Sequence, residues 1–247
     1  MRGYINLTLL HHLGLHLDFS LSYEFCPTKG VKMGHWLPGK EYRAPPDICS
    51  GDYKQRSDAD VLATLGRAQP GDLILTKTRG AGFALGRVLT RNRYDHIAVV
   101  LHDSETLNIV MPKTIKLPLS TFGKPGNAPL IMRPNWKAQE QRDSFIAEME
   151  GFVGGHYNLK RTLLGILVIV LSTWLGIRIR IKKLKPQTAK WICTEAIIVS
   201  LLKTFPVFKA IEGIKLDYNT LGFGTTNDFL RISCSLPHLM KIEKREA

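Results

Sequence analysis

The stretch Lys190-Trp-Ile-Cys-Thr-Glu-Ala-Ile-Ile-Val-Ser-Leu-Leu-Lys203 has a cysteine near its start and continues as an apolar run. From Ala196 onward almost no polar face remains, and a helix that is apolar all round is buried in a core. Thr194 and Glu195 are residue types that are common near helix starts. The stretch therefore predicts a buried helix beginning at Cys193, and we expect the rest of the chain to pack around it.

The position of Cys193 at a helix start has a chemical consequence. A thiol there lies near unpaired backbone N–H groups and the positive end of the helix dipole, which favour the nucleophilic thiolate. The same N–H groups could hold an oxyanion. The alternative is an inert core cysteine, because free cysteine is among the most buried residue types. This stretch alone leaves both interpretations open.

The composition is that of an ordinary globular protein with a strong positive charge. The 247 residues are 44% hydrophobic and 22% charged, and 34 Lys and Arg against 21 Asp and Glu give a net charge of +13. Such a surplus favours anionic partners, namely acidic phospholipid or nucleic acid. The chain has no zinc-finger spacing, no aromatic-rich RNA-binding strand and no Walker loop, so no specific nucleic-acid partner is expected.

The cysteines and histidines indicate neither a disulfide scaffold nor a metal centre. Four cysteines are scattered without a C-x-x-C spacing, so a reducing, cytoplasmic compartment is the default expectation, with membrane association left open. The N-terminus lacks a secretory signal pattern. His12 and His16 are spaced i, i+4, but two histidines without a third ligand make a weak site. We expect no metal and no cofactor.

The chain divides into an N-terminal extension, residues 1–57, and one domain, residues 58–240. Within the domain, 58–69 predicts a helix, Leu73 to Thr76 a buried strand, and Gly80 to Leu89 a short helix. Tyr94 to Leu101 is apolar on both faces, which is typical of a central strand.

The segments that follow complete the expected fold class. Short strands separated by Pro and Gly predict an antiparallel meander, and a later helix is expected to have Thr226 or Asn227 as its cap. We therefore predict an α+β fold in which an antiparallel sheet or small barrel packs on the cysteine-bearing helix. The predicted strands are Thr106–Val110, Thr114–Leu119 and Pro129–Arg133. An amphipathic helix is predicted over Trp136–Phe152.

The run Leu163 to Ile177 is apolar and is bordered by cations on both sides. A spanning helix needs roughly twenty apolar residues, so this run is marginal. Three interpretations stay open: a buried or partner-facing helix, a helix lying in the membrane interface, and a true span. The second makes an anionic membrane surface a candidate partner.

His96, Asn108 and Cys193 are the components of a Cys-His-Asn thiol enzyme. In such a site the cysteine attacks a carbonyl, the histidine moves the proton, and the amide orients the imidazole. A strict four-residue loop between the two strands would place Asn108 opposite Val99, on the face away from His96. The hypothesis therefore requires an odd-length loop or a bulge.

Several motifs in order resemble a known family. They are Pro70-Gly-Asp-Leu-Ile-Leu, Tyr94-Asp-His-Ile-Ala-Val-Val, Gly155-His-Tyr-Asn, Ile192-Cys-Thr-Glu and Thr226-Asn-Asp-Phe-Leu. Over residues 58–235 the chain resembles the circularly permuted papain-like thiol hydrolases of the YiiX/YaeF type. These are relatives of the NlpC-type cell-wall amidases and of the lecithin retinol acyltransferases. The resemblance implies a permuted papain-like fold in which the histidine strand precedes the cysteine helix.

The same resemblance implies Cys193 as nucleophile and His96 as general base. Asn108 has the spacing of the family's third position, which is often Glu, His or another polar residue. Tyr94 and Tyr157 are candidates for substrate or oxyanion contacts. The segment at about 159–189 is interpreted as a hydrophobic and basic insertion.

Three functions follow as hypotheses. The first is a cysteine hydrolase that cleaves an amide, ester or thioester through an acyl-enzyme. The second is a lipid acyltransferase, or another thiol enzyme acting on phospholipid, at a membrane. The third is a non-catalytic membrane-binding module of the same fold, which predicts an inert Cys193.

Overall fold

The structure is a computed structural model that describes residues 2–3, 23–24, 58–124, 127–177, 179–185 and 190–243. Most of the predicted N-terminal extension, including His12 and His16, therefore lies outside the described residues. Two short antiparallel strands are described within it, β1 (Arg2–Gly3) and β2 (Tyr23–Glu24).

The domain is built on a six-stranded antiparallel sheet in the order β10-β7-β3-β4-β5-β6. The buried strand and the central strand predicted from the sequence are both present, and they lie side by side in the middle of the sheet. The strands are β3 (Leu73–Thr76), β4 (His96–Val100), β5 (Glu105–Ile109), β6 (Thr114–Pro118), β7 (Leu130–Pro134) and β10 (Met240–Ile242).

Two details of the predicted sheet are wrong. The strands from β4 to β6 form a meander, but β7 pairs with β3, where Leu73 lies opposite Met132. The fully buried β3 needs hydrogen-bond partners on both edges, and β4 supplies only one of them. Within the described residues β6 and β10 are the outermost strands and do not pair with each other, so the sheet is open and the small barrel is not formed.

Helices cover both faces of the sheet. They are α1 (Asp58–Leu65), α2 (Ala81–Thr90), α3 (Gln139–Glu150), α4 (Leu159–Leu175), α5 (Cys193–Thr204), α6 (Asp217–Thr220) and α7 (Thr226–Ser235). Side chains alternate between faces along a strand, and the core divides accordingly. On β4, Ile97 and Val99 pack in the large core with α5, whereas Ala98 and Val100 pack in a smaller core with α1.

The cysteine-bearing helix α5 is buried along most of its length, as predicted. The chain enters α5 from β9 (Lys190–Trp191), which pairs in parallel with β8 (His156–Tyr157). The Trp191 ring packs edge-on against Phe152 with centroids 4.8 Å apart. These contacts determine where Cys193 enters the core.

Helix α4 contains most of the apolar run and packs closely on the core. A Cβ at Gly165 would come within 2.1 Å of Phe223, so only glycine permits this approach. Val168 and Ile169 are buried beside it. Among the described residues, no helix combines the length and the apolarity needed to cross a bilayer.

The cap predicted for α7 is wrong by one or two residues. Thr225 is the N-cap, and it forms a reciprocal capping box with Asp228. The Thr226 side chain instead donates to the Tyr94 carbonyl at 2.6 Å, and the Asn227 side chain donates to the Arg91 carbonyl. Helix α7 thereby anchors the loop that leads into β4.

Candidate active site

The β4–β5 hairpin has the register that the Cys-His-Asn hypothesis requires. Val99 lies opposite Leu107, and the Leu101 N–H donates to the Glu105 carbonyl. The connecting loop is therefore three residues long, with Asp103 and Ser104 in the left-handed region. Because this loop has odd length, Asn108 lies on the same face of the sheet as His96.

His96 and Asn108 are joined by a hydrogen bond of 3.1 Å between Nε2 and Oδ1. The amide orientation follows from its other partners, since Asn108 Nδ2 donates to the Thr106 carbonyl and to Thr106 Oγ1. Thr106 Oγ1 donates its own proton to the Leu117 carbonyl, so it can only accept from the amide. Nε2 of His96 therefore carries the proton, and Nδ1 is the basic nitrogen.

This chain of contacts makes Thr106 a testable positioning residue. Thr106→Val removes the hydroxyl acceptor from the buried Asn108 amide, and we expect kcat/KM to fall about tenfold as the imidazole loses its orientation. The measurement is kcat and KM on an activated ester, with thermal unfolding as a control for stability. Thr106→Ser keeps the hydroxyl and should restore activity. Equal loss in both variants would contradict an orienting role.

The environment of Cys193 differs from the prediction that the helix start favours thiolate. The thiol is buried, and burial raises its pKa to about 11. Hydrogen bonds from the backbone N–H groups of Ile97, Thr194 and Cys193 itself lower the pKa but do not offset burial. Cys193 is therefore a protonated thiol at neutral pH, with N–H groups in place to stabilise a transient thiolate.

The pKa of His96 is lowered, which favours the neutral imidazole that can accept a proton. Burial lowers its pKa below the usual 6.5, while the hydrogen bond to Asn108 and the charge of Asp95 oppose that shift. The imidazole is accordingly neutral at pH 7. The resting state of the site is a neutral thiol and a neutral imidazole rather than a thiolate–imidazolium pair.

One cavity of about 1000 Å³ brings all the predicted site residues together. Its volume is at the upper end of the range for small-molecule sites. The Cys193 sulfur accepts from the backbone N–H of Ile97, the residue that follows His96 on β4. The predicted site residues in the cavity wall are Tyr94, His96, Asn108, Tyr157 and Cys193.

Tyr94 and Tyr157 differ in burial and in hydrogen bonding. Tyr94 is fully buried, and its carbonyl accepts from Thr226. Tyr157 is half-buried, with its hydroxyl 3.0 Å from Thr162 Oγ1. Burial and then the charge of a Cys193 thiolate raise the pKa of Tyr157, so it remains a neutral hydroxyl in electrostatic range of the sulfur.

A buried ion pair beside the nucleophile was missed in the sequence. Arg161 on α4 binds both carboxylate oxygens of Glu195 on α5, at 2.8 and 2.7 Å. Arg161 also donates to the carbonyls of Lys182 and Gly222. Burial raises the pKa of Glu195, and Arg161 opposes this. The interfacial interpretation of the apolar run assigns its bordering cations to a membrane surface. Arg161 is one of these cations, and it instead links α4 to the cysteine-bearing helix α5.

A second missed contact supports the loop before the histidine. Asp95 forms an ion pair with Arg87 on α2, and it accepts from the Thr78 N–H at 3.0 Å. These bonds hold the β3–α2 connection against the start of β4. In the described part of the chain, no group of three His, Cys, Asp or Glu side chains is placed to hold a metal ion.

Comparisons with known proteins add little to this geometry. No protein-family model matches the sequence, and no curated protein matches it. Among solved structures, the chain is similar to one described as "metalloprotein yiiX from Escherichia coli O157:H7, DUF1105". The TM-score is 0.46 and the identity 12%, over 73% of this chain and 98% of that one.

Proposed function

We propose that the protein is a cysteine hydrolase with a permuted papain-like fold, which cleaves an amide, ester or thioester through an acyl-enzyme. The observation that carries the proposal is the hydrogen bond between His96 and Asn108 in the cavity that Cys193 also lines. Nucleophile, base and orienting amide are the groups that this chemistry needs.

In the first half of the proposed reaction, Cys193 Sγ attacks the carbonyl carbon of the substrate. Nδ1 of His96 takes the thiol proton as the C–S bond forms, and the negative charge moves to the carbonyl oxygen. The N–H groups around the sulfur stabilise the thiolate character of the transition state. The intermediate then collapses, and the imidazolium donates its proton to the leaving amine, alcohol or thiol.

In the second half, water attacks the thioester while His96 again acts as the base. The carboxylic acid leaves, and the proton returns to Cys193. Acyl transfer differs only in the acceptor, because an alcohol or amine then takes the place of water. Asn108 contacts the imidazole rather than the reacting atoms, so it is a positioning residue.

The pH dependence of activity tests whether neutral His96 acts as the base. His96 must be neutral to accept the proton, and its lowered pKa keeps it neutral at pH 7. We expect kcat/KM on p-nitrophenyl esters to be constant near neutral pH and to fall on acidification, with a midpoint below 6.5. The decrease in kcat/KM on the acid side should follow the protonation of a single group.

A matched histidine variant controls this measurement. His102 is an exposed histidine in the loop that follows β4, and His102→Ala should keep the parent profile. His96→Ala should lose the acid limb together with about 10²- to 10⁴-fold in rate. An acid limb that survives unchanged in His96→Ala would contradict the role of His96 as the base.

A further inference from the structure

Helix α2 exposes its apolar side chains instead of burying them. Among its ten residues none is buried. Phe83, Leu85 and Val88 are 52%, 58% and 64% exposed. A helix with this composition normally packs its apolar side chains on a core. Core packing therefore does not account for the apolar residues of α2.

Helix α4 exposes a second apolar stripe. Leu159, Leu163, Leu167 and Trp174 are all exposed, and their spacing of four, four and seven residues puts them on one side of the helix. Val168 and Ile169 on another side are in the core. The helix is thus apolar both toward the protein and toward solvent.

The two helices form one continuous surface. Trp174 Nε1 on α4 donates to the Leu89 carbonyl on α2 at 2.8 Å. The Arg91 guanidinium lies 4.7 Å from the centroid of the Trp174 ring. The α2–α4 face is the name used here for this surface, which consists of Phe83, Leu85, Val88, Leu89, Leu159, Leu163, Leu167, Trp174 and Leu175.

The charged residues of the two segments that contain α2 and α4 are all cationic. Residues 77–94 and 156–185, which contain α2 and α4, include no Asp or Glu at all. Arg87 and Arg161 are engaged in internal ion pairs. The exposed cations described in these two segments are Arg79, Arg91, Lys160, Arg180, Lys182 and Lys185.

We propose that the α2–α4 face docks on the surface of an anionic lipid bilayer. Apolar helices with basic flanks lie in the headgroup region, held by buried apolar area and by attraction to anionic lipid. Tryptophan is enriched at this depth because its ring is apolar and its N–H is polar. A face without any acidic residue suits such a surface.

The cavity has walls in common with the α2–α4 face. Phe83 on α2 and Leu163 on α4 are exposed on the face and also line the cavity of Cys193. A lipid held at the face would have its acyl ester close to the thiol. The substrate class that follows is a membrane lipid ester, and this extension rests on the proposed function, whereas docking itself does not.

Vesicle sedimentation of the full chain tests the docking. The probe is vesicles of phosphatidylcholine alone and of equimolar phosphatidylcholine and phosphatidylserine. We expect binding to the mixed vesicles, weakened by salt and about tenfold or more tighter than binding to phosphatidylcholine alone. Val88→Glu/Leu167→Glu should lose binding to the mixed vesicles by at least about tenfold, since both residues are in the face and neither lines the cavity.

A control variant matches the change in charge and in apolar surface. Leu62→Glu/Val153→Glu replaces two exposed apolar residues away from α2 and α4, and it should bind as the parent does. Equal losses in both double variants, or no parent binding to mixed vesicles, would overturn the proposal. The proposal would also be overturned if the parent were a dimer that bound no lipid and that Val88→Glu/Leu167→Glu dissociated. The face would then be an interface between two copies.

Cys193→Ala separates docking from chemistry. This variant should bind mixed vesicles as the parent does, because the thiol is not in the face. Release of fatty acid from the mixed vesicles by the parent but not by Cys193→Ala supports the lipid ester as substrate. Binding without release would overturn the lipid ester while leaving docking intact, and p-nitrophenyl ester turnover by the same preparation would show whether the proposed function survives.

Discussion

Replacing Cys193 with alanine is expected to lower kcat on an activated ester by roughly four orders of magnitude or more, because the variant lacks the nucleophile of the proposed acyl-enzyme. The side chain is buried and loses only its sulfur atom, so the fold should persist. Steady-state kinetics measure the loss, and thermal unfolding shows whether the variant is folded.

A second cysteine provides the control for this substitution. Cys234 is a half-buried cysteine on α7 and does not line the cavity. Cys234→Ala should keep kcat within about twofold of the parent. If Cys193→Ala retained activity within tenfold of the parent, the thiol would not be the nucleophile.

Replacing Arg161 with methionine should lower the free energy of unfolding by about 3–5 kcal/mol. The change leaves the fully buried Glu195 without its cation, and an uncompensated buried charge is costly. It also frees the carbonyls of Lys182 and Gly222. Urea denaturation measures the effect as a lower transition midpoint.

A double variant shows whether the cost comes from the buried charge. Arg161→Met/Glu195→Gln removes both charges and should recover a large part of the lost stability. Lys160→Met, at the exposed neighbouring position, should change stability by less than about 0.5 kcal/mol. A loss in Arg161→Met no larger than that in Lys160→Met would contradict the ion pair as a support of the site.

The strands and helices closest to the site could be predicted because their signals are local. Leu73 to Thr76 and the β4 segment are continuous apolar runs, which indicate buried strands whatever surrounds them. The register of Asn108 could be stated as a condition from side-chain alternation alone. The choice between the two registers depends on the backbone of Asp103 and Ser104, and nothing local in the sequence specifies it.

Two of the features missed in the sequence depend on contacts between residues far apart in the chain. The pairing of β7 with β3 joins strands that are more than fifty residues apart. Arg161 is one of the cations that border the apolar run, and Glu195 lies at the start of the cysteine-bearing helix. Their pairing needs α4 to lie across the start of α5, and Gly165 permits that approach by its contact with Phe223.

The electrostatic prediction for Cys193 was incomplete for a related reason. A helix start lowers the pKa of a thiol, and the backbone N–H groups do act in that direction. Burial depends on the surrounding fold rather than on the stretch itself, and it raises the pKa to about 11. The thiol is therefore protonated at neutral pH, in contrast to the preformed thiolate that the stretch suggests.

Acylation of Cys193 by a p-nitrophenyl ester, followed by intact-protein mass spectrometry from about pH 5 to about pH 9, tests the central claim most directly. The account predicts a single acyl adduct on Cys193 at neutral pH, with a rate that falls below pH 6.5 and drops about a hundredfold or more in His96→Ala. Cys234 in the same chain reports the behaviour of a thiol outside the cavity. A slow rate on Cys193 that rises with pH as for an ordinary thiol, and is equal in parent and His96→Ala, would contradict the claim.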